Sequence, residues 1–223
     1  MTRTIRPATE ADLPQVRQIF AYYVLNTVVT LLVNEPPLDY IADRFRDSVS
    51  RGLPYLVAVD EHDAVLGYTY ASAFTGFKLG YANTVEISLF CHPDSTNRGI
   101  GSRLIKQLID TLRATKHVCQ EVGHEQNQTE FDVRKVIAVI SVDEGAEGSA
   151  LALRDWYKRW GFEEVARLKG VGFKKGRTYS RLFCPGTKPA IADEEAGSTY
   201  YTLSCTCSDI LLANDLCHND TDV

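Results

Sequence analysis

The stretch HPDSTNRGIGSRLI, residues 92–105, separates a β-rich segment from an amphipathic helical pattern. Gly99 and Gly101 stand two residues apart where the helical pattern begins. The first N–H groups of a helix have no partner within it, and the helix dipole adds positive potential there. Glycine also leaves the backbone open to close approach by a ligand. The stretch therefore predicts a site for an anion such as a pyrophosphate, with Arg98 and Arg103 as additional donors.

Two better-known phosphate motifs are absent from the chain. A Walker A loop needs Gly-x-x-x-x-Gly-Lys-Ser/Thr, and no such stretch occurs. A dinucleotide-binding fingerprint needs a third glycine where this chain has Leu104. A Gly-x-Gly pair alone is also compatible with a plain turn between a strand and a helix, so the rest of the chain has to decide.

The composition is that of a soluble globular protein, with 44% hydrophobic and 24% charged residues among 223. No apolar run is long enough for a membrane helix, and Met1–Arg6 leads directly into patterned sequence without an apolar signal region. A cytoplasmic protein with reduced cysteines is expected. Residues 1–184 carry 23 basic and 22 acidic residues, which argues against a nucleic-acid binder with a broad basic surface.

Residues 185–223 differ from the rest of the chain. They hold seven acidic residues and one basic residue and lack an amphipathic period, so we predict a disordered acidic tail after a single domain at 1–184. The tail contains potential zinc ligands, namely Cys205, Cys207, Cys217 and His218. Their spacing is not a repeated Cys-x₂-Cys pair, and no metal site is predicted.

The pattern of the domain is β-α-α-β-β-β-α-β-α-β-β, a mixed α/β fold. Leu104 and Leu108 belong to a helical stripe, and residues 135–143 form a nearly continuous apolar strand. Residues 26–33 are apolar and β-branched, which favours a strand or a packed loop. Residues 116–134 are polar and weakly patterned, so we interpret them as an inserted loop.

Two segments together resemble the GNAT superfamily of acyl-CoA N-acyltransferases. Residues 96–102 are similar to its motif A, usually Gln/Arg-x-x-Gly-x-Gly/Ala. ALRDWYKRWGFEEV, residues 152–165, resembles its second signature, in which a tyrosine, here Tyr157, stands four residues before Gly-Phe. The resemblance implies a mixed, mostly antiparallel sheet that is splayed at the acyl-CoA site and carries helices on both faces.

Four further stretches resemble the phosphinothricin acetyltransferase branch of that superfamily: IRPATEADLPQVRQIF (5–20), NEPP (34–37), YANTVEISLF (81–90) and RLKGVGFKKGR (167–177). Three positions depart from the expected pattern. Thr96 replaces the first Gln/Arg of motif A, and Ala150 replaces an asparagine. Val33 stands where herbicide-detoxifying members often have arginine, which indicates an acceptor less charged than phosphinothricin.

Glu86 is the candidate general base. Val85 and Ile87 flank it on a strand, and a carboxylate in apolar surroundings has a raised pKa that suits removal of a proton from an ammonium group. The resemblance places the family's base at this position. The alternative is a strand glutamate that faces solvent or pairs with a basic residue.

Tyr157 is the candidate general acid, which would give a proton to the departing thiolate of coenzyme A. The alternative is a half-buried helix aromatic whose hydroxyl bonds to the backbone.

The resemblance also implies where acetyl-CoA, the co-substrate, would bind. Main-chain amides of Leu89, Phe90 or Cys91 would hold the thioester carbonyl. The pyrophosphate would lie on Thr96, Asn97, Arg98, Gly99, Ile100, Gly101 and Ser102. Since only main-chain atoms of Cys91 are needed and no histidine is placed beside it by spacing, we predict direct attack in a ternary complex rather than a covalent enzyme intermediate.

Glu35, Lys78 and Tyr81 are candidate acceptor-binding residues, each also readily explained as a structural or solvated side chain. The predicted function is N-acetylation of a small-molecule primary amine by a homodimer, the assembly that the resemblance implies. Two alternatives stay open: a protein N-terminal or lysine acetyltransferase, and a catalytically silent acyl-CoA-binding module.

Overall fold

The computed structural model describes residues 3–76, 78–121, 123–124, 126–143 and 151–187. The tail cysteines, His218 and Ala150 lie outside these residues. The strands are β1 (Thr4–Pro7), β2 (Tyr55–Val59), β3 (Val65–Ala73), β4 (Thr84–Cys91), β5 (Lys116–Cys119), β6 (Thr129–Asp132), β7 (Lys135–Asp143), β8 (Ala166–Lys174) and β9 (Arg177–Thr187). The α-helices are α1 (Leu13–Asn26), α2 (Leu38–Ser50), α3 (Ile100–Leu112) and α4 (Ala152–Lys158).

Seven of the strands form one mixed sheet in the order β1-β2-β3-β4-β7-β9-β8. The β4–β7 pair is parallel and every other neighbouring pair in this sheet is antiparallel. The predicted mixed, mostly antiparallel α/β fold is therefore confirmed.

Helices cover both faces of the sheet, as predicted. On one face α1 and α2 pack on β2 and β3 around stacked tyrosines, with the rings of Tyr55 and Tyr70 4.9 Å apart. On the other face α3 and α4 pack on β4, β7 and β9. The predicted stripe of α3 is buried, since Leu104 and Leu108 are fully enclosed.

The segment between α1 and α2 forms no strand. It is a packed loop, one of the two predicted possibilities. A Cβ atom built at Gly172 would stand 3.0 Å from a methyl of Leu31, and Lys174 Nζ donates to Thr30 O at 2.7 Å. The position of this loop is therefore fixed by contacts with β8, and the loop does not pair with a strand.

The predicted inserted loop at 116–134 contains two strands, β5 and β6, which form a small antiparallel sheet of their own. Contacts outside the segment anchor it: Val118 N donates to Arg51 O at 2.9 Å, and His117 Nδ1 lies 2.7 Å from Ala82 O. Because these contacts are distant in sequence, the weak local pattern could not indicate them. Strand β9 likewise continues to Thr187, beyond the domain end predicted at 184.

Candidate functional site

The sheet opens between its two central parallel strands. Residues Thr84–Ile87 of β4 pair with Lys135–Ala138 of β7, and the pairing of the two strands stops there. Strand β4 continues to Cys91 along β3, whereas β7 continues to Asp143 along β9. The splay predicted from the resemblance is thus present. The opening lies between residues 88–91 of β4 and 139–143 of β7.

Main-chain N–H groups of β4 point into this opening. His92 N donates to Leu66 O of the β3 side at 2.8 Å, and antiparallel pairs alternate between bonded and non-bonded positions. The N–H group of Phe90, two residues before His92, therefore also points toward β3. The N–H groups of Leu89 and Cys91 point away from β3. Tyr23 Oη donates to Cys91 O at 2.7 Å on that outer side, which agrees with this alternation.

This alternation divides the three candidate amide donors. Leu89 and Cys91 can offer N–H groups to a ligand in the opening, but the amide of Phe90 is directed to β3. The β3–β4 register is continuous from Gly67 to Ala73, so the outward amides come from the separation of β7.

The amino end of α3 lies beside the same opening. Gly99 precedes the helix with a φ of +75°, a left-handed conformation that favours glycine, and Arg103 N donates to Gly99 O at 3.1 Å. The N–H groups of Ile100, Gly101 and Ser102 belong to the first helical turn, which lacks preceding carbonyl partners. The amide of Gly101 donates to the thiol of Cys91, so those of Ile100 and Ser102 are the donors for a ligand. This arrangement is suited to binding an anion.

Gly101 joins three elements. A Cβ atom built on it would lie 3.5 Å from Cys91 Sγ, 3.7 Å from Leu89 Cδ2 and 3.7 Å from Trp156 Cζ2. The amino end of α3 therefore meets the splayed part of β4 and the helix that carries Tyr157.

Two side chains of this region, those of Thr96 and Arg103, are engaged with the protein. Thr96 Oγ1 donates to Pro93 O at 3.1 Å, and Arg103 Nη2 donates to Arg3 O at 2.7 Å. Arg3 Nη1 in turn donates to Arg98 O at 3.0 Å. The main chain and the exposed side chain of Arg98 are thus the donors that this loop presents, whereas the side chain of Arg103 bonds to the residue before β1.

The side chain of Glu86 lies on the α1/α2 face of β4. The side chains of its neighbours Val85 and Ile87 point to the opposite face, where they are buried. Its side chain is partly buried, and burial raises the pKa of its carboxyl group above the usual range of glutamate. The positive charges of Arg181 and Arg44 act in the opposite direction. A carboxyl group with a raised pKa binds a proton more readily, which is the property that a general base needs.

Tyr157 lies on the other face, in the core formed by α3, α4 and the central strands. Its side chain is 6% exposed, and burial raises the pKa of its phenol well above the usual tyrosine value. The rings of Trp156 and Phe162 pack against it at 4.9 and 5.3 Å between centroids. Cys91 and Cys184 are near enough to influence its ionisation. Tyr157 is thus a protonated phenol beneath the opening.

The thiol of Cys91 is held by the protein and is protonated. Burial raises its pKa, and the amide of Gly101 donates to it, which offsets part of the shift. A thiol with a raised pKa is a poor nucleophile because the thiolate is the reactive form. This environment favours a main-chain role for Cys91.

The predicted acceptor residues do not form one cluster. Glu35 belongs to the loop after α1 and pairs with Arg17 at 2.7 Å. Lys78 and Tyr81 lie just before β4, both exposed, and the Tyr81 ring packs on Phe74 at 5.4 Å between centroids. Lys78 and Tyr81 are thus near Glu86 in sequence, just before its strand. Glu35 is instead fixed by its ion pair with Arg17 of α1.

Two arginines near Glu86 were missed by reasoning from the sequence. Arg44 on α2 donates to Tyr70 Oη at 3.0 Å and stacks over the ring of Tyr40 at 4.5 Å. Arg181 on β9 interrupts an alternating strand pattern between two buried residues, Ser180 and Leu182. A charge in such a strand is a usable signal, but only the strand order places it near Glu86.

Comparisons with known proteins agree with this geometry. Residues 19–129 match the Acetyltransferase (GNAT) family. The chain is 31% identical over 186 residues to the L-methionine sulfoximine/L-methionine sulfone acetyltransferase of Pseudomonas aeruginosa, which covers 82% of this chain and 93% of that protein. It is 28% identical to the phosphinothricin N-acetyltransferase of Alcaligenes faecalis, covering 78% of this chain and 77% of that protein.

Among solved structures, a GNAT superfamily phosphinothricin acetyltransferase from Sinorhizobium meliloti in complex with AcCoA is similar to this chain. The two share 35% sequence identity with a TM-score of 0.68, over 84% of this chain and 89% of the other. Within the described residues of the present chain, no helix is both long and apolar enough to cross a membrane.

Proposed function

The chain belongs to the acetyltransferase (GNAT) family, and we propose that it transfers the acetyl group of acetyl-CoA to the primary amine of an amino-acid-like small molecule. The observation that carries this proposal is the placement of a candidate base and a candidate acid on opposite faces of one opening. Glu86 lies on the α1/α2 face and Tyr157 on the α3/α4 face, with outward amides of β4 between them.

Acetyl-CoA fits the residues that surround the opening. The first turn of α3 offers main-chain donors for the pyrophosphate, and Leu89 and Cys91 offer amides for the thioester carbonyl. The similar Sinorhizobium meliloti enzyme was crystallised with AcCoA, which supports the same co-substrate here.

The nitrogen of the acceptor must lose two protons during the reaction, and the sulfur of coenzyme A must gain one. Glu86 accepts a proton from the acceptor ammonium, directly or through a water molecule, and the free amine attacks the thioester carbonyl. The amides of Leu89 and Cys91 stabilise the negative charge that develops on the carbonyl oxygen. As the carbon–sulfur bond breaks, Tyr157 gives its proton to the departing thiolate. The acylated nitrogen releases its remaining extra proton to water, and the Tyr157 phenolate takes a proton back from water. We assign direct transfer in a ternary complex because the thiol of Cys91 is partly buried and has a raised pKa, which makes it a poor nucleophile.

The acceptor proposal rests on the relatives and on the loop after α1. Three relatives carry names that specify amino acids or amino-acid analogues as acceptors: L-methionine sulfoximine or sulfone, L-amino acids, and phosphinothricin. In this chain the apolar loop at 28–33 lies on the Glu86 side of β8 and β9. An uncharged side chain on the acceptor is therefore favoured over the charged phosphinothricin group.

A homodimer and a cytoplasmic location stay predictions. Exposed apolar side chains on the edge strand β8 support the dimer, since Val171 is 57% and Phe173 72% exposed. Light scattering on the full chain measures the mass directly, and a monomer at all accessible concentrations would contradict the dimer.

A thermal-melt titration with acetyl-CoA tests the co-substrate site without knowledge of the acceptor. A ligand that binds only the native state raises the melting temperature with concentration, so a saturating increase is expected. A panel of amines then follows, beginning with L-methionine sulfone and phosphinothricin, read by release of the coenzyme A thiol. Binding without turnover for any small amine or peptide would favour the silent acyl-CoA-binding module, and turnover of peptides alone would favour a protein acetyltransferase.

A further inference from the structure

Arg181 lies on the same face of the sheet as Glu86, at the splayed end of the opening. Glu86 pairs with Ile137 of β7, and Arg181 of β9 pairs with Ser141 of β7. Ile137 and Ser141 are an even number of residues apart, so their side chains share a face. Because β4 and β7 run parallel, Ser141 is level with the separated part of β4, beyond Glu86.

We propose that Arg181 binds the carboxylate of the acceptor and thereby selects amino acids over simple amines. This inference rests on the proposed function and adds a specificity-determining residue to it. A site with a carboxylate and a guanidinium on one face is complementary to a zwitterion: Glu86 receives the ammonium group, and Arg181 holds the carboxylate attached to the same carbon. Arginine suits this role because its planar fork matches a carboxylate with two parallel N–H donors.

The guanidinium of Arg181 has donors left for a ligand. Within the described residues its one hydrogen bond is a long contact of 3.4 Å from Nη1 to Ser141 Oγ. Glu86 and Arg181 form no ion pair with each other in that part of the chain, although each influences the ionisation of the other. Arg181 is half-buried, so a carboxylate bound to it would be shielded from solvent.

Four other charged groups on this face, in the part of the chain that the structure describes, are engaged with the protein. Arg44 bonds to Tyr70 and stacks on Tyr40, and Lys174 donates to the carbonyl of Thr30 at 2.7 Å. Asp143, two residues from Ser141, pairs with Arg177 at 3.1 Å. Among these described cations, Arg181 has the weakest contacts within the protein.

The apolar loop after α1 lies beside Arg181. Leu31 approaches Gly172, which pairs with Tyr179, and Tyr179 and Arg181 point to the same face of β9. An acceptor anchored by its carboxylate on Arg181 would therefore direct an apolar or uncharged side chain to this loop.

The test compares two acceptors in the parent enzyme and in Arg181→Gln. The acceptors are L-methionine sulfone and 3-(methylsulfonyl)propan-1-amine, which is the same molecule without its carboxylate. Loss of a charge-assisted interaction should reduce kcat/KM for the amino acid about ten- to a hundredfold. The value for the decarboxylated amine should change less than about threefold. Arg181→Lys should restore part of the activity toward the amino acid.

An equal loss for both acceptors would overturn the proposal, because a merely structural residue would not distinguish them. An unchanged value for both would also overturn it. Circular dichroism and the acetyl-CoA melting shift of Arg181→Gln verify that the fold and the co-substrate site persist. If the proposed function itself were wrong, the parent enzyme would acetylate neither compound, and this result is distinct from a failure of the Arg181 proposal.

A pH profile gives an independent readout. The positive charge of Arg181 lowers the pKa of Glu86, so Arg181→Gln should move the acid limb of kcat/KM for the decarboxylated amine to higher pH. Arg44 still faces Glu86 in that variant and limits the shift. If the acid limb of the pH profile does not move, the charge of Arg181 does not influence the pKa of Glu86, which contradicts their placement in one site.

Discussion

The two faces of the sheet treat their ionisable groups differently at the same opening. On the α1/α2 face, Glu86 is partly buried but lies in the field of two arginines, which oppose the rise in its pKa. On the α3/α4 face, Tyr157 lies in an apolar core beside two thiols, and nothing lowers its pKa. Burial therefore makes one group a base that can exchange its proton and the other an acid that keeps its proton until a thiolate forms.

The largest expected effect comes from removing the base. Glu86→Gln should reduce kcat by about 10²- to 10⁴-fold, the usual contribution of general acid–base catalysis, because the amide cannot accept the ammonium proton. The increase in melting temperature caused by acetyl-CoA should persist. Assays of coenzyme A thiol release measure kcat, and thermal melts measure the stabilisation by acetyl-CoA. Glu130→Gln, which changes an exposed strand glutamate on β6, is the matched control, and activity of Glu86→Gln equal to this control would remove Glu86 from the mechanism.

A smaller loss is expected on the opposite face. Tyr157→Phe removes only the hydroxyl and should lower kcat by about a hundredfold, since the thiolate then departs without a proton donor. Tyr55→Phe is the control, because it removes a hydroxyl from a buried tyrosine of the other core. If both variants lose activity equally, the effect would come from packing. With acetyl thioester donors whose thiol is more acidic than coenzyme A, the thiolate needs less help in leaving, so the loss of kcat caused by Tyr157→Phe should become smaller, while that caused by Tyr55→Phe should not change.

The smallest expected effect concerns stability: the melting temperature should depend on pH for a variant of Glu86 on one face, but not for a variant of Tyr157 on the other. The folded pKa of Glu86 is raised above its ordinary value of 4.5, so its contribution to stability is present at low pH and is lost as the pH rises through the folded pKa. Glu86→Gln should therefore gain in melting temperature relative to the parent as the pH increases from about 4 to about 7. Tyr157→Phe should show a constant difference over that range, because its phenol stays protonated. A pH-independent difference for Glu86→Gln would contradict the raised pKa.

Much of the fold follows from local patterns. The stripe of α3 and the apolar strand at 135–143 need only their own periods, because burial on one face or both produces those patterns directly. The segment at 116–134 shows where local patterns fail. Its strands are short and polar, and partners distant in sequence such as Arg51 and Ala82 hold it in place.

The candidate site divides in the same way. Gly99 could be recognised from the sequence because a left-handed residue before a helix has few alternatives to glycine. The choice between Leu89, Phe90 and Cys91 could not, since it depends on which residues of β4 bond to β3. Arg181 was also beyond reach, because its distance from Glu86 is set by two intervening strand pairings.

By itself the sequence determined the order of the elements outside 116–134 and the Gly-x-Gly turn at the start of α3, and its resemblance to the GNAT superfamily indicated Glu86 and Tyr157 as acid–base candidates. These depend on residue type and spacing along one element. Only the tertiary structure decided that β7 leaves β4 after Ile87, that two amides face the opening, and that Arg181 shares the Glu86 face. The reason is physical: strand order and register bring together residues far apart in the chain, and a local pattern carries no information about that pairing.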